Sequence, residues 1–309
     1  MARRTRLFAV RATQYDGLRQ PTGDEMAEHP GFAAAIGRTE RREDRVTPAL
    51  LSRMAATLDV PPPADGTLPP LWHWGMFQHW LAPDRLGADG HARRGGFLPD
   101  TPGLERRMWA GGRLDFYLPL RAGDAVSRTS TITAIEAKHG ASGALVFLTL
   151  RHEIARPDGL ALTEEQDLVF RAAPTGLRPA NHVPPAPPGA SRRIVQPDAV
   201  LLFRYSALTG NAHRIHYDAD FTRGTEGYPD LVVHGPLQAT WLAALAASIA
   251  GRRIGRFSFL ARRPAYVGRT LTLEAWEEEG QVSARSLDPN GAVCMSASAE
   301  FPRDAPDET

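Results

Sequence analysis

Cysteine occurs once in the 309 residues, as Cys294. A lone thiol excludes an internal disulfide and any paired-cysteine metal site. Its neighbours in GAVCMSASAEF alternate small and apolar, so it reads as an inert strand residue in a reducing interior, with the cytoplasm as the expected compartment. Long hydrophobic runs are missing: nothing approaches the roughly 20 residues of a spanning helix, and no membrane is expected as a partner. An excess of one charge is missing too. With 36 Lys and Arg against 35 Asp and Glu, the net charge of +1 gives no reason to expect nucleic acid. GxGxxG, Walker and GxSxG patterns are absent, which leaves nucleotide-dependent and serine-hydrolase chemistry without support. The N-terminal MARRTRLFAVRATQYDG has no apolar core of a secretion signal; its arginines keep organelle targeting as the alternative.

What is present falls into blocks. Residues 1–35 show no periodicity and read as an extension. From GRTERREDRVTPALLSRMAATLDV a helix is expected, with Thr47 as cap, Pro48 in the first turn, and Leu50, Leu51, Met54 and Leu58 at helical spacing. PPPADGTLPP interrupts, and LWHWGMFQHWL and a turn-rich stretch with GADG and RRGG follow. Period-two strands then dominate up to about residue 175. PTGLRPANHVPPAPPGASRR marks a linker, placed at 176–192. Residues 193–303 run helix first and strands after, with Leu237, Trp241, Leu245 and Ile249 on one face of GPLQATWLAALAASIAGRR; 304–309 is a tail. PLRAGDAVSRTSTITAIE, a PDG turn and a strand ending at Phe170 match PAYVGRTLTLEAWEEE, a PNG turn and a strand ending at Phe301. The fold class expected is α+β, as two similar units from a duplication.

TGNAHRIHYD, from Thr209 to Asp218, is unusually rich in polar side chains: Asn211, His213 and His216 lie within six residues. LLFRYSALTG reads as a helix stopped by Gly210, and Asp218 as the cap of a short helix through ADFTRG. The irregular chain between them is a place to project side chains into a cleft. Downstream, His234-Gly235-Pro236 opens the long helix. Its first N–H groups and the positive end of its dipole suit an oxygen that turns negative during reaction.

TGNAHRIHYD followed by EGYPDLVVHGPLQA resembles the signature of the MaoC-like, R-specific enoyl-thioester hydratases, and more closely their two-domain branch of 3-hydroxyacyl-thioester dehydratases and mesaconyl-C4-CoA hydratases. LPPLWHW, RRMWAGGRLDFYLPLRAGD and FSFLARRPAYVG resemble the same branch, so the likeness covers about 36–302. It implies a double hotdog, each antiparallel sheet wrapping a central helix, with a degenerate first unit at 36–175 and a catalytic second unit at 193–303. It also implies reversible hydration of an α,β-unsaturated acyl-CoA. Asn211 falls where the wider family carries Asp, His216 on its histidine, and Gly235 on the glycine whose N–H polarises the thioester carbonyl.

On this reading His216 removes the proton from water, Asn211 holds that water, and Gly235 stabilises the enolate. His213 is either a second water ligand or a group that orients His216. Tyr205 lines the acyl pocket or the core, and His234 caps, packs or binds substrate. Arg262 or Arg263 meets a CoA phosphate or a substrate carboxylate, with Arg106, Arg107 and Arg113 as further cations. No cofactor is expected, CoA being part of the substrate, and no metal. A zinc site of His213, His216, Asp218 and His234 is the metal rival, on weak His-x-x-His evidence without HExxH. Beside the acyl-CoA partner, pairing into a homodimer is what the resemblance adds. A hotdog thioesterase and a non-catalytic acyl-CoA-binding protein are the other rivals.

Overall fold

The computed structural model describes residues 30–101, 104, 106–140, 143–171 and 184–302. Most of residues 1–35, much of the proline-rich linker and the tail therefore lie outside the described residues. The chain starts with a short helix α1 (Pro30–Ala33), strand β1 (Thr39–Arg45) and helix α2 (Pro48–Leu58). Four long strands follow: β2 (Arg106–Phe116), β3 (Ala125–Gly140), β4 (Gly143–Arg156) and β5 (Gly159–Arg171). After β6 (Ser191–Val195) come α3 (Ala199–Thr209), α4 (Ala219–Gly224) and α5 (Gly235–Ala250). Strands β7 (Arg256–Ala261), β8 (Leu271–Glu278), β9 (Gln281–Leu287) and β10 (Val293–Glu300) complete the chain.

All ten strands join one antiparallel sheet in the order β1-β3-β4-β5-β2-β7-β10-β9-β8-β6. The second five repeat the first in reverse, as a duplicated unit meeting its copy edge to edge would. Pro157-Asp158-Gly159 turns β4 into β5, and Pro289-Asn290-Gly291 turns β9 into β10, at corresponding places. At the seam, β2 pairs β7 with Gly111 opposite Leu260. A Cβ on Gly111 would stand 2.6 Å from the Phe259 carbonyl oxygen, so only glycine lets the strands close there.

The 16-residue helix α5 packs against β8, β9, β10 and β7. Leu237, Ala239, Leu242 and Ala246 are fully buried and Trp241 nearly so, whereas Leu245 and Ile249 are only partly covered. The one-face stripe expected of this helix is thus a buried surface on most sides, because the sheet curls around it. Truncating a fully buried leucine such as Leu242 to Ala costs about 2–5 kcal/mol. In the first half the shorter α2 brings Leu51, Met54, Ala55 and Leu58 into the same core as Val126, Ile154 and Leu162. Thr47 accepts the Leu50 N–H at 3.1 Å, the cap its sequence announced.

TERREDR, which precedes the capped helix and for which the sequence predicts no element of its own, is β1, an edge strand paired with β3 from Thr39–Thr131 to Arg45–Ala125. Its charges point to solvent or to cross-strand partners such as Arg128, and a charged edge resists further strand addition. Helical continuation from α2 is blocked at Pro48, whose ring excludes the preceding residue from helical backbone.

Candidate active site

Helix α3 is capped by Asp198, whose Oδ1 accepts the Leu201 N–H at 2.7 Å, and ends at Gly210 with φ +60°. The chain then turns sharply. Asn211 Oδ1 accepts the His213 N–H at 3.0 Å, so the amide shapes the loop while keeping one oxygen lone pair for a further donor. A single turn of 3-10 helix, Arg214–His216, carries the second imidazole, and Asp218 caps α4 through the Phe221 N–H at 2.9 Å. The Asp218 cap and the Gly210 stop fall where the sequence places them.

The histidines meet under cover. His216 Nδ1 lies 2.7 Å from the Val232 carbonyl oxygen. A carbonyl only accepts, so Nδ1 carries the proton and Nε2 of the neutral ring is free to take one. Burial, helped by the charge of His91 and opposed by the Val232 hydrogen bond, lowers the His216 pKa to about 4, so the ring is a neutral base near pH 7. His234 stacks on it with centroids 3.6 Å apart and donates to or accepts from Ser206 Oγ at 2.8 Å through Nε2. Its side chain makes no helix cap; it packs, fully buried, at the N-terminus of α5. Tyr205 closes the other side, its ring 5.0 Å from that of His234.

Gly235 begins α5, so its N–H has no acceptor within the helix. A Cβ there would meet only Met295 Cε at 3.8 Å, an ordinary contact, so internal packing does not demand glycine. Asn211, His213, His216, Gly235, Tyr205, Arg262 and Arg263 all line one cavity of about 1060 Å³, together with Trp74, Trp109 and Gln238. His234 stands behind its wall. Of the weaker cations, Arg106 and Arg107 line this cavity; Arg113 instead pairs with Asp167 at 2.7 Å and with Glu165.

The first half supplies groups that the sequence reading passed over. The loop around GADGH docks on the histidine loop: Asp89 O accepts the Arg214 N–H at 2.9 Å, and Ala88 O accepts from Arg214 Nη1 at 3.0 Å. Gly90 sits between them at φ +89°, and a Cβ on it would fall 1.9 Å from the Ala212 carbonyl oxygen. Asp89 Oδ2 lies 2.8 Å from His91 Nδ1, and the His91 ring packs 4.2 Å from that of His213. Burial opposes ionisation of Asp89, but His91 outweighs it and holds the carboxyl well below its usual range. Burial also lowers His91 to about 4 and His213 below its ordinary value. The only sequence sign of this loop was an Asp-Gly turn followed by His, which fixes local geometry and says nothing of a contact 126 residues away.

Asp89, His91 and His213 each bring a possible ligand atom within 4.8 Å of the others, a donor set a divalent cation could use. The zinc set weighed from the sequence does not assemble: Asp218 binds Arg214 at 2.7 Å and caps α4, and His234 Nε2 is engaged by Ser206.

Comparison with known proteins follows the same lines. The family model described as Hydroxyacyl-thioester dehydratase type 2 matches residues 71–267. The mesaconyl-C(4)-CoA hydratase of Chloroflexus aurantiacus is 43% identical over 275 residues, which is 87% of this chain and 98% of that one. The crystal structure of HtdX from Mycobacterium tuberculosis superposes with a TM-score of 0.61 at 16% identity, covering 86% of this chain and 100% of that one. A conserved Mycobacterium tuberculosis protein described as a double hotdog gives 0.51 at 14% identity, covering 85% of this chain and 95% of its own. A double hotdog with its imidazoles and a helix start on one cavity, matched over more than half of its length by one family model, is assigned by these likenesses: the chain belongs to the hydroxyacyl-thioester dehydratase type 2 family of hydro-lyases.

Proposed function

We propose that this chain adds water reversibly across the double bond of an α,β-unsaturated acyl-CoA, mesaconyl-C4-CoA or a similar short, branched, dicarboxylic acyl-CoA. Catalysis belongs to the second unit, residues 193–303, with the first unit, 36–175, completing the cavity wall. The observation that carries the reading is the Nε2 of His216, without a hydrogen-bond partner among the described residues and aimed by the Nδ1–Val232 contact, on the same cavity as the Gly235 N–H.

Water is held at Asn211, and His216 Nε2 takes its proton as the oxygen bonds to the β-carbon. The π electrons move through the α-carbon onto the thioester oxygen, where Gly235 N–H and the dipole of α5 stabilise the enolate. One such donor is worth about 3–4 kcal/mol. The imidazolium of His216 then returns the proton to the α-carbon, so atoms and charge balance without a cofactor. Arg262 and Arg263, which follow β7 and line the cavity, are the cations this reading assigns to the phosphates of CoA.

The test is a spectrophotometric screen of crotonyl-, mesaconyl-C4- and itaconyl-CoA with purified protein, run beside a free-thiol assay. Loss of the enoyl-thioester absorbance without thiol release supports hydration. Thiol release instead makes the chain a thioesterase, and binding without either change makes it a carrier.

A further inference from the structure

Five arginines of the β2, β5 and β7 region line the cavity, and they are not equivalent. Arg106 is tied to Glu226 at 3.3 Å and to the Thr225 carbonyl at 2.9 Å. Arg171, Arg262 and Arg263 have partners of their own. The guanidinium of Arg107, on β2, makes no hydrogen bond and no ion pair among the described residues, although it stands in the cavity wall. Burial lowers its guanidinium to about 10, against the pull of Asp89, the anion whose charge reaches it. A guanidinium held in a wall with its fork unused is placed for a planar anion brought from outside.

Its neighbours say which end of a substrate that anion must occupy. Arg107 shares the cavity wall with Asp89, His91 and His213; the His91 ring packs 4.2 Å from that of His213, which in turn stands edge-on to His216 at 5.6 Å. Arg107 therefore serves the water-adding end of the cavity. In mesaconyl-C4-CoA the free carboxylate is bonded to the β-carbon, the atom that takes the hydroxyl. Whatever holds that carboxylate has to stand beside the groups that activate water.

We infer that Arg107 is the specificity-determining cation for the free carboxylate of a β-carboxylated enoyl-CoA, an inference that rests on the hydratase reading above. Pairing the carboxylate with Arg107 orients the β-carbon toward His216. It also offsets the repulsion between the carboxylate and the electrons moving past it toward the thioester oxygen. An uncharged enoyl group of similar length leaves the guanidinium unpaired in the wall, which disfavours it.

The experiment compares kcat/KM for mesaconyl-C4-CoA and crotonyl-CoA in the wild type, Arg107→Gln and Arg107→Lys. The expected result is that the mesaconyl-to-crotonyl ratio falls about a hundredfold or more in Arg107→Gln, and that Arg107→Lys recovers part of it. A ratio unchanged in Arg107→Gln, whatever the loss in either activity alone, overturns the assignment. Should crotonyl-CoA turn over too slowly to measure, the affinities of the two thioesters are compared by calorimetry in a His216→Ala background, with and without Arg107→Gln. There, loss of the preference for mesaconyl-C4-CoA supports the role, and retention overturns it. A wild type that hydrates crotonyl-CoA but neither hydrates nor binds mesaconyl-C4-CoA overturns the Arg107 role alone. One that hydrates no enoyl-CoA overturns the hydratase reading and the Arg107 role with it.

Discussion

The imidazoles of His216 and His234 lie face to face, centroids 3.6 Å apart and planes 18° from parallel. One ring is the candidate base on the cavity and the other is sealed behind it with no exposed surface. Stacking and the Val232 hydrogen bond together leave the His216 ring little freedom to rotate, so Nε2 keeps its aim between turnovers.

His216→Ala removes that base while the space it leaves is walled by His234 and His213. Its kcat is expected to fall about a hundredfold or more with KM nearly unchanged, measured as loss of enoyl-thioester absorbance. Turnover near the wild-type rate removes His216 from the mechanism. Asn211→Asp is the companion variant: activity retained shows that a carboxylate can hold the water as the amide does.

Ser206→Ala tests the support behind the base. It deletes the hydroxyl on His234 Nε2, and His234 Nδ1 already has no partner among the described residues. The ring is then left with no internal hydrogen bond, at a cost of roughly 1–3 kcal/mol read from urea denaturation. A midpoint equal to wild type means that water reaches the ring and the bond contributes nothing.

Gly90→Ala bears on the junction between the loops. Its methyl cannot coexist with the Ala212 carbonyl, and φ +89° strains any side chain, so the GADGH loop has to leave the histidine loop. Activity is expected to drop more than tenfold. Gly96→Ala, where a Cβ meets nothing within 4 Å, is the control and stays close to wild type. Equal behaviour of the two variants contradicts the docking.

Acid should destabilise the fold early. His91, His152 and His216 are each lowered to about 4, chiefly by burial, so the folded chain refuses protons that the unfolded chain accepts near 6.5. Stability is therefore complete above about pH 6.5 and declines as pH falls toward 4, by up to about 2 kcal/mol per histidine at pH 5. Denaturation midpoints at pH 7.5 and 5.0 measure it, and identical midpoints refute it. While the fold persists, kcat/KM holds through this range and is lost only as pH passes the folded value of His216.

Local chemistry was legible from the residues alone. Thr47 and Asp218 cap helices because their side-chain oxygens satisfy nearby N–H groups, and Gly210 stops α3 because it accepts left-handed backbone. The family resemblance supplied the hotdog and the roles proposed for Asn211, His216 and Gly235. What stayed hidden was long-range. TERREDR has no strand alternation of its own and becomes β1 only because β3 offers it an edge. Asp89, His91 and Arg107 join the cavity through the docking of one half on the other, which no local pattern encodes.

The junction at Gly111 has a further consequence. Two protein surfaces that meet by collision come apart on dilution, but β2 and β7 belong to one polypeptide and remain each other's neighbours at any concentration. Rate per molecule, in so far as it depends on that junction, is therefore the same in a trace sample as in a concentrated one.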